Sequence, residues 1–291
     1  MKKFKLLLWV LLFCCSGYLI KQLVIDPLQI DKKQHDIQTI YYQQTSSSQS
    51  TRESFYDLAA INSDIKAWIR VSNSNIDYPV LQAGQADAEY YLDHDYKKVP
   101  SREGSIFAGA SVQLANDDLK PIILYGHTLQ NGRMFSELKK YREIEFLKQN
   151  QSIYFDRQFG NSQWKIISVF LANVLEKQGS PFNYTRTEFK DENDYLNFIY
   201  QIRIRSLFNI DTSVNGQDKL LLLSTCADDF ENFRLVVVAR QLREGESNTP
   251  AQISENPKVL YPDCWYQKNH AVKPNWPTDY QNFKGLNWFE K

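Results

Sequence analysis

Residues 220–226 read LLLLSTC, and this stretch decides the fold class. Four consecutive leucines predict a strand buried on both faces, which delivers the thiol of Cys226 at its C-terminal end. Residues 121–127, PIILYGH, are built alike, with His127 after the apolar run. Residues 233–240, FRLVVVAR, are rich in β-branched side chains and carry Arg234 near their start. The three runs therefore predict core strands with chemically active side chains at their ends.

Other short runs of Val, Ile, Leu and Tyr are bounded by Gly, Pro, Asn or Asp, a spacing typical of a barrel or sandwich. Helices are predicted at residues 55–62 and 134–148, and around Tyr195, where apolar residues repeat with helical period. About eight strands are predicted, at residues 67–71, 76–82, 104–110, 121–125, 152–157, 163–174, 219–224 and 234–242. The expected fold is mainly β, with N-terminal helices and an amphipathic helix in the connection before the last strands.

The N-terminus has its own pattern. Three lysines precede an apolar run at residues 6–20, and apolar character resumes after Lys21. Residues 1–25 therefore predict a signal-anchor or transmembrane segment with the rest of the chain outside the cell, and a cleaved signal peptide is the alternative. Residues 26–54 predict a juxtamembrane helix and a linker that spans residues 43–51. Residues 55–243 are predicted to form the main domain, and residues 244–291 an aromatic-rich C-terminal extension.

Composition narrows the function further. The 34 basic and 34 acidic residues cancel, so no basic field is present to attract nucleic acid. The four cysteines show neither a disulfide framework nor metal-ligand spacing. Since a lone thiol in an exported domain risks oxidation, Cys226 requires a chemical explanation. Burial as a small core residue is the alternative for Cys226.

The side chains of Cys226, His127 and Arg234 could act together in one reaction. A histidine beside a cysteine can act as a general acid and base, or can stabilise a thiolate as imidazolium. Antiparallel pairing of residues 220–226 with the run after them would bring Arg234 beside Cys226, where a guanidinium can stabilise an oxyanion. The alternatives are a structural role for His127 and a surface ion pair for Arg234 with Asp228, Asp229 or Glu231.

Together, YGH at residues 125–127, LSTC at residues 223–226 and Arg234 resemble the sortase family. Further segments are similar to class B sortases, namely residues 61–69 (INSDIKAWI), 76–80 (IDYPV), 90–92 (YYL), 104–107 (GSIF) and 132–140 (GRMFSELKK). The resemblance covers about residues 55–243 and implies a closed sortase barrel. At residues 108–112 the chain has AGASV, where the class usually continues with Asp and then Asn.

The resemblance implies a cysteine transpeptidase anchored in the cell membrane. Cys226 would attack the Thr carbonyl of a C-terminal sorting motif, His127 would protonate the leaving amine, and Arg234 would stabilise the oxyanion. The implied partners are a surface protein or pilin that bears the motif, and an amine from a peptidoglycan precursor or a pilin lysine. No metal or organic cofactor is implied. The implied substrate-binding residues are Ser224, Thr225, Tyr184 and Thr185.

Two other functions stay open at this level. A hydrolytic cysteine peptidase would use the same Cys/His pair, and a catalytically silent surface module would use the sortase fold only for binding. The aromatic residues of the extension either pack on the barrel or contact cell-wall polymer.

Overall fold

In a computed structural model, the described residues are 2–46, 51–111, 113–115 and 121–290. The strands are β1 (Ile65–Val71), β2 (Asp77–Leu81), β3 (Ile106–Ala108), β4 (Pro121–Tyr125), β5 (Ser152–Arg157), β6 (Gly160–Ala172), β7 (Phe208–Ile210), β8 (Leu220–Ala227), β9 (Phe233–Gln241) and β10 (Ile253–Glu255). In this part of the chain eight strands close into a barrel in the order β1-β2-β3-β4-β8-β9-β6-β5, and β7 and β10 form a separate pair. The predicted barrel of about eight strands is confirmed.

The barrel is mixed because β2/β3 and β4/β8 pair in parallel, while its other neighbours pair antiparallel. Residues 220–225 of β8 are all buried. The strand lies between β4 and β9, and a 3-10 helix, Ser136–Arg142, packs against both β8 and β9. A strand shielded on both faces needs apolar residues at every position, which explains the leucine run.

Six α-helices accompany the strands in the described chain: α1 (Lys2–Ile20), α2 (Asp26–Ser46), α3 (Thr51–Ile61), α4 (Ile144–Gln149), α5 (Glu192–Arg205) and α6 (Asp263–Asn269). A π-helical turn, Lys21–Ile25, joins α1 to α2, and further 3-10 turns occupy Gln85–Asp87, Tyr90–Leu92 and Glu176–Gln178. The amphipathic helix predicted around Tyr195 is α5, and the helix predicted at residues 55–62 is α3. The single helix predicted at residues 134–148 is wrong, because Glu143 is extended (φ −102°, ψ 121°) and separates the 3-10 helix from α4.

The structure also corrects the expected membrane anchor. Across the described helices, none combines the length and the apolar character that a bilayer crossing requires. The apolar run between Lys5 and Lys21 holds 15 residues, whereas a spanning helix needs about 20. The predicted single-pass anchor at residues 1–25 is therefore wrong, and the predicted cell-membrane localisation is not supported.

Helix α2 packs directly on the barrel. Ile37 and Tyr41 of α2 are buried in a second apolar core that includes Phe55 and Trp68. The Tyr41 ring stacks on Trp68 with centroids 4.2 Å apart, and its hydroxyl donates to Asp156 at 2.6 Å. Of the linker predicted at residues 43–51, residues 47–50 lie outside the described residues.

The C-terminal extension packs against α5. Trp288 is 1% exposed and clusters with Tyr200 and Ile204 of that helix. The amide of Val214 donates to the Trp288 carbonyl at 2.9 Å, and the amide of Glu290 donates to the Val214 carbonyl at 3.0 Å. Pairing of β10 with β7 adds a second attachment. The aromatic residues of this cluster therefore pack on the protein, as the first of the two alternatives predicts.

A charged cluster fixes the start of the extension. The guanidinium of Arg240, which is 1% exposed, donates to the two carboxylate oxygens of Glu246 at 2.6 and 2.7 Å. The Arg243 amide donates to the same carboxylate at 3.0 Å. Hydrogen bonds from Arg240, and to a lesser extent from Arg243, hold the pKa of Glu246 well below its ordinary value.

We expect Glu246→Gln to lower the free energy of unfolding at pH 7 by about 2 kcal/mol, because the buried Arg240 loses charge-assisted hydrogen bonds and keeps only a longer contact with Asp218. Since the folded pKa of Glu246 is depressed, its stabilisation is full above the unfolded pKa and is lost as pH falls through the folded value. Urea unfolding at pH 7 and at about pH 3 should therefore show a smaller difference between the two proteins in acid. The exposed Glu244 of the same loop gives the control, Glu244→Gln. A difference that is equal at both pH values would contradict this assignment.

Candidate active site

The strand pairing brings the three predicted catalytic residues to one rim of the barrel. Since β4 and β8 run parallel, with Tyr125 opposite Ser224, their C-terminal ends lie at the same rim. His127 follows β4 by two residues, and Cys226 lies near the end of β8. In the antiparallel pair β8/β9, Cys226 lies directly opposite Arg234, as the expected pairing requires.

These residues line a cleft of about 650 Å³. Cys226 is exposed there, although residues 220–225 are buried. The change from burial to exposure within one strand presents the thiol to solvent and removes the alternative of a buried structural cysteine. The other residues that line the cleft include Leu92, Phe107, Tyr125, Thr185, Ser224 and Thr225.

A backbone carbonyl orients the His127 ring. Its Nε2 lies 2.7 Å from the Leu92 carbonyl oxygen. A carbonyl can only accept a hydrogen bond, so Nε2 carries a proton and Nδ1 remains for proton transfer. The preceding Gly126 is required by space, because a Cβ there would collide with the side chain of Ile106 and the ring of Phe135.

Threonine hydroxyls join the segment around His127 to the end of β8. The Thr225 hydroxyl donates to the Gly126 carbonyl at 2.7 Å and lies 2.7 Å from the Thr128 hydroxyl. The Thr128 oxygen is in turn 2.9 Å from the Cys226 carbonyl. The backbone positions of His127 and Cys226 are therefore fixed relative to each other.

The four predicted substrate-binding residues fall into two groups. Thr185 is exposed and lines the cleft, whereas Tyr184 is only 7% exposed and is not among the lining residues. The Tyr184 hydroxyl lies 2.9 Å from that of Ser224, and burial raises the pKa of Tyr184. Ser224 and Thr225 reach the cleft but are almost fully buried. Tyr184 therefore supports the cleft wall from behind.

Arg234 keeps its guanidinium free of carboxylates within the described residues. Its Nη1 donates at 3.2 Å to the carbonyls of Asn232 and Phe233. The acids proposed as alternative partners pair with other cations: Asp228 with Lys139, Asp229 with Arg142 and Glu231 with Lys177. The surface ion pair considered for Arg234 is therefore absent from this part of the chain, and Arg234 lines the cleft.

Cys226 and His127 line the same cleft. Among the described side chains, no hydrogen bond joins the thiol to the imidazole, and no group of three or more His, Cys, Asp or Glu side chains could hold a metal ion. Catalytic hydrogen bonds are often long in an enzyme without substrate and shorten in the complex. The arrangement suits nucleophilic attack by a thiolate with a nearby acid and base.

Residues 69–242 match the family model described as Sortase domain. The chain belongs to the sortase family. Sortase B of Staphylococcus aureus is 32% identical over 240 residues, which cover 81% of this chain and 95% of that protein. Sortase B of Listeria monocytogenes is 31% identical over 196 residues, covering 66% and 76% of the two chains. A solved Staphylococcus aureus sortase B–substrate complex matches with a TM-score of 0.68 and 30% identity, over 75% of this chain and 99% of that one.

These similarities make the protein a class B sortase and a cysteine transpeptidase. Neither the hydrolytic peptidase nor the silent binding module is favoured by them. None of the residues that line the cleft of this sortase belongs to the C-terminal extension, as far as the described chain shows. The extension of this sortase thus packs against α5 and leaves the described cleft open.

Two contributors to the site of this sortase were not predicted. The Leu92 group that holds His127 is a backbone carbonyl, which every residue type has, so no sequence pattern identifies it. Thr128 is next to His127 in sequence, and this position could have marked it as a candidate site residue. Its hydroxyl, however, contacts residues 97 and 98 positions further along the chain, which only the fold brings near.

Proposed function

We propose that this sortase cleaves a C-terminal sorting motif after threonine at Cys226 and transfers the acyl group to an amine. One observation carries the proposal: Cys226 and Arg234 are directly opposed across β8 and β9, and His127 enters the same cleft from β4. Nucleophile, oxyanion donor and proton carrier thus come from three adjacent strands. Residues 55–243 would form the catalytic domain.

In the acylation step, the Cys226 thiolate attacks the threonine carbonyl carbon and forms a tetrahedral oxyanion. The oxyanion collapses, the C–N bond breaks, and a thioester remains on Sγ. The leaving amine takes a proton from His127, whose Nδ1 is the ring nitrogen not held by Leu92. His127 leaves this step neutral.

In the second step, an amine attacks the thioester carbonyl. His127 accepts the proton that the amine loses, and the C–S bond breaks to release the Cys226 thiolate with the new amide. The nucleophile and the acid are thereby restored together, so no cofactor takes part in the proton balance. Water in place of the amine would give hydrolysis by the same route.

The cleft residues have different roles in this proposal. Thr185, which is exposed in the cleft, would contact the sorting motif directly. Ser224 and Thr225 would form the base of the groove beside the nucleophile. Tyr184 would act through Ser224, because its hydroxyl lies against the Ser224 hydroxyl.

The partners follow from the same chemistry. The acyl donor would be a surface protein or pilin with a C-terminal sorting motif, and the acceptor would be the amine of a peptidoglycan precursor or of a pilin lysine. A solved relative is a Staphylococcus aureus sortase B–substrate complex, which supports substrate binding by this fold.

For Arg234 we expect a loss of activity in both Arg234→Ala and Arg234→Lys. Because one ammonium cannot reproduce the guanidinium fork, lysine should recover little. The expected decrease in kcat is about 10²–10³-fold, with KM changed much less, since the interaction forms mainly in the transition state. Steady-state kinetics with a sorting peptide measure both constants. Arg186→Lys, which changes an arginine paired with Asp194, is the control, and full kcat in Arg234→Ala would remove Arg234 from the oxyanion role.

The test of the function is intact-mass analysis of the full chain incubated with a pool of sorting-motif peptides. A thioester adduct should appear, map to Cys226 after digestion, and disappear when an amine such as triglycine is added. The transpeptidation product should then accumulate. An adduct resolved only by water would support the peptidase instead, and the absence of any adduct would contradict the proposal.

A further inference from the structure

The segment that follows His127, residues 128–135, is held from outside the barrel. We call it the His127 loop. At its tip, Arg133 donates from Nε (3.0 Å) and Nη2 (2.6 Å) to Asp31 in α2. Its Nη2 also lies 3.2 Å from the Pro27 carbonyl oxygen. One arginine thus joins the His127 loop to a helix about 100 residues away in the sequence.

The same arginine has a second, buried partner. Arg133 Nη1 donates at 2.9 Å to Oε1 of Glu103, which is 8% exposed. Asn131, also in the His127 loop, donates to this oxygen at 2.7 Å. The carboxylate of Glu103 therefore receives hydrogen bonds from two residues at the loop tip. The Arg133 side chain is only 16% exposed, so it is largely shielded from water. Its charge-assisted hydrogen bonds to the two carboxylates can therefore keep a defined geometry.

Glu103 is also connected to the other side of the histidine. The next residue, Gly104, has φ 59°, and a Cβ there would collide with the Leu92 carbonyl. This is the carbonyl that accepts from Nε2 of His127. The loop after His127 and the acceptor of its ring are therefore both fixed against the same corner, residues 103–104.

The base of the His127 loop connects the restrained loop tip to His127 and Cys226. The Phe135 amide donates to the His127 carbonyl at 3.0 Å, and Thr128 forms an antiparallel bridge with Met134. Thr128 also contacts the Cys226 carbonyl. A displacement of the loop tip would therefore shift both His127 and Cys226, because a short hydrogen-bonded hairpin connects the tip to both residues.

Helix α2 is a firm anchor for the cluster. Ile37 is fully buried and Tyr41 is 3% exposed in the second core. The Tyr96 hydroxyl donates to the carbonyl of Lys33, two residues after Asp31, at 2.9 Å. Burial of these side chains holds Asp31 in place although its own side chain is 63% exposed.

We propose that Arg133, Glu103 and Asp31 form a positioning cluster for His127, which makes α2 part of the catalytic unit. The proposal rests on the proposed role of His127. None of the three residues lines the cleft, so each acts through the His127 loop and the Leu92 carbonyl. The functional unit then begins at α2 and not at residue 55.

The test compares Arg133→Gln and Asp31→Asn with the wild type in the full chain. The first measurement is the rate of Cys226 alkylation by iodoacetamide against pH, followed by digestion so that the other cysteines are counted separately. This rate reports the coupling of Cys226 to His127 without any peptide substrate. The second measurement is kcat and KM for transpeptidation. Gln38→Ala, which removes a contact of α2 with Asp77 on β2, is the matched control.

We expect Arg133→Gln to shift the alkylation profile toward that of His127→Ala and to lower kcat about tenfold with little change in KM, as for a loss of positioning. Arg133→Lys should be intermediate, because an ammonium can serve only one of the two carboxylates. Asp31→Asn changes an exposed side chain and should show a smaller shift in the same direction. Gln38→Ala should match the wild type in both measurements.

The outcomes separate this proposal from the function itself. Wild-type alkylation profiles and kcat in both Arg133→Gln and Asp31→Asn would overturn the cluster, whatever the peptide results. A shifted profile together with no transpeptidation of any peptide would keep the cluster and overturn the sorting function. An alkylation profile that is the same in wild type and His127→Ala would overturn the Cys/His pair and the cluster with it.

Discussion

Replacing Cys226 by alanine is expected to abolish both the thioester adduct and turnover. The methyl group of alanine cannot attack a carbonyl. Removal of a nucleophile typically lowers kcat by about 10⁶-fold, below the detection limit of a peptide assay. Intact mass and product formation by chromatography measure the two losses. Since Cys226 is exposed and fills no core space, the thermal unfolding temperature should stay close to that of the wild type.

The matched control for this variant is Cys264→Ala. Cys264 is partly exposed in α6 and packs against the main core, and burial raises the pKa of its thiol. A smaller thiolate fraction makes it a poor nucleophile at neutral pH. We therefore expect Cys264→Ala to form the adduct at the wild-type rate. An adduct that persists in Cys226→Ala and disappears in Cys264→Ala would reverse the assignment.

His127→Ala is expected to lower kcat/KM by about 10³–10⁴-fold, because both steps lose their proton carrier. The loss should depend on the leaving group. A substrate whose leaving group needs no proton, such as a thioester, should be much less affected in the acylation step. Stopped-flow measurement of that step with amide and thioester substrates separates the acid from the other functions of the ring.

Two comparisons complete the histidine experiment. His270→Ala changes an exposed histidine in the extension and should keep full activity. Added imidazole should restore part of the activity of His127→Ala by entering the space left by the ring. Equal losses for amide and thioester substrates, without recovery in imidazole, would assign His127 a structural role.

The main strands and the helix α5 could be predicted from local sequence, because each follows from a short run or repeat of apolar residues. The leucines of β8 and the β-branched residues of β9 predict buried strands from neighbouring positions alone. The periodic apolar residues of α5 likewise predicted its buried face. Placement of Cys226, His127 and Arg234 at strand ends was visible for the same reason.

Other features depend on competition between local signals. Residues 1–25 predicted an anchor because apolar character resumes after Lys21, but no described helix is long and apolar enough to cross a membrane. Residues 134–148 have helical composition, yet the chain is extended at Glu143, between a 3-10 helix that packs on the barrel and α4. In both cases the composition indicated a helix, but the composition did not show where that helix begins and ends.

The sequence by itself predicted the barrel strands, the three side chains for which we propose catalytic roles, and the antiparallel pairing that sets Arg234 opposite Cys226. Only the tertiary structure decided how His127 is held, since its ring acceptor is the Leu92 carbonyl and its loop is fixed through Arg133 to Glu103 and Asp31. Strands are encoded by residues that are neighbours in the chain. The restraints on His127 join positions 30 to 102 residues apart, and one of them uses a backbone atom that every residue carries.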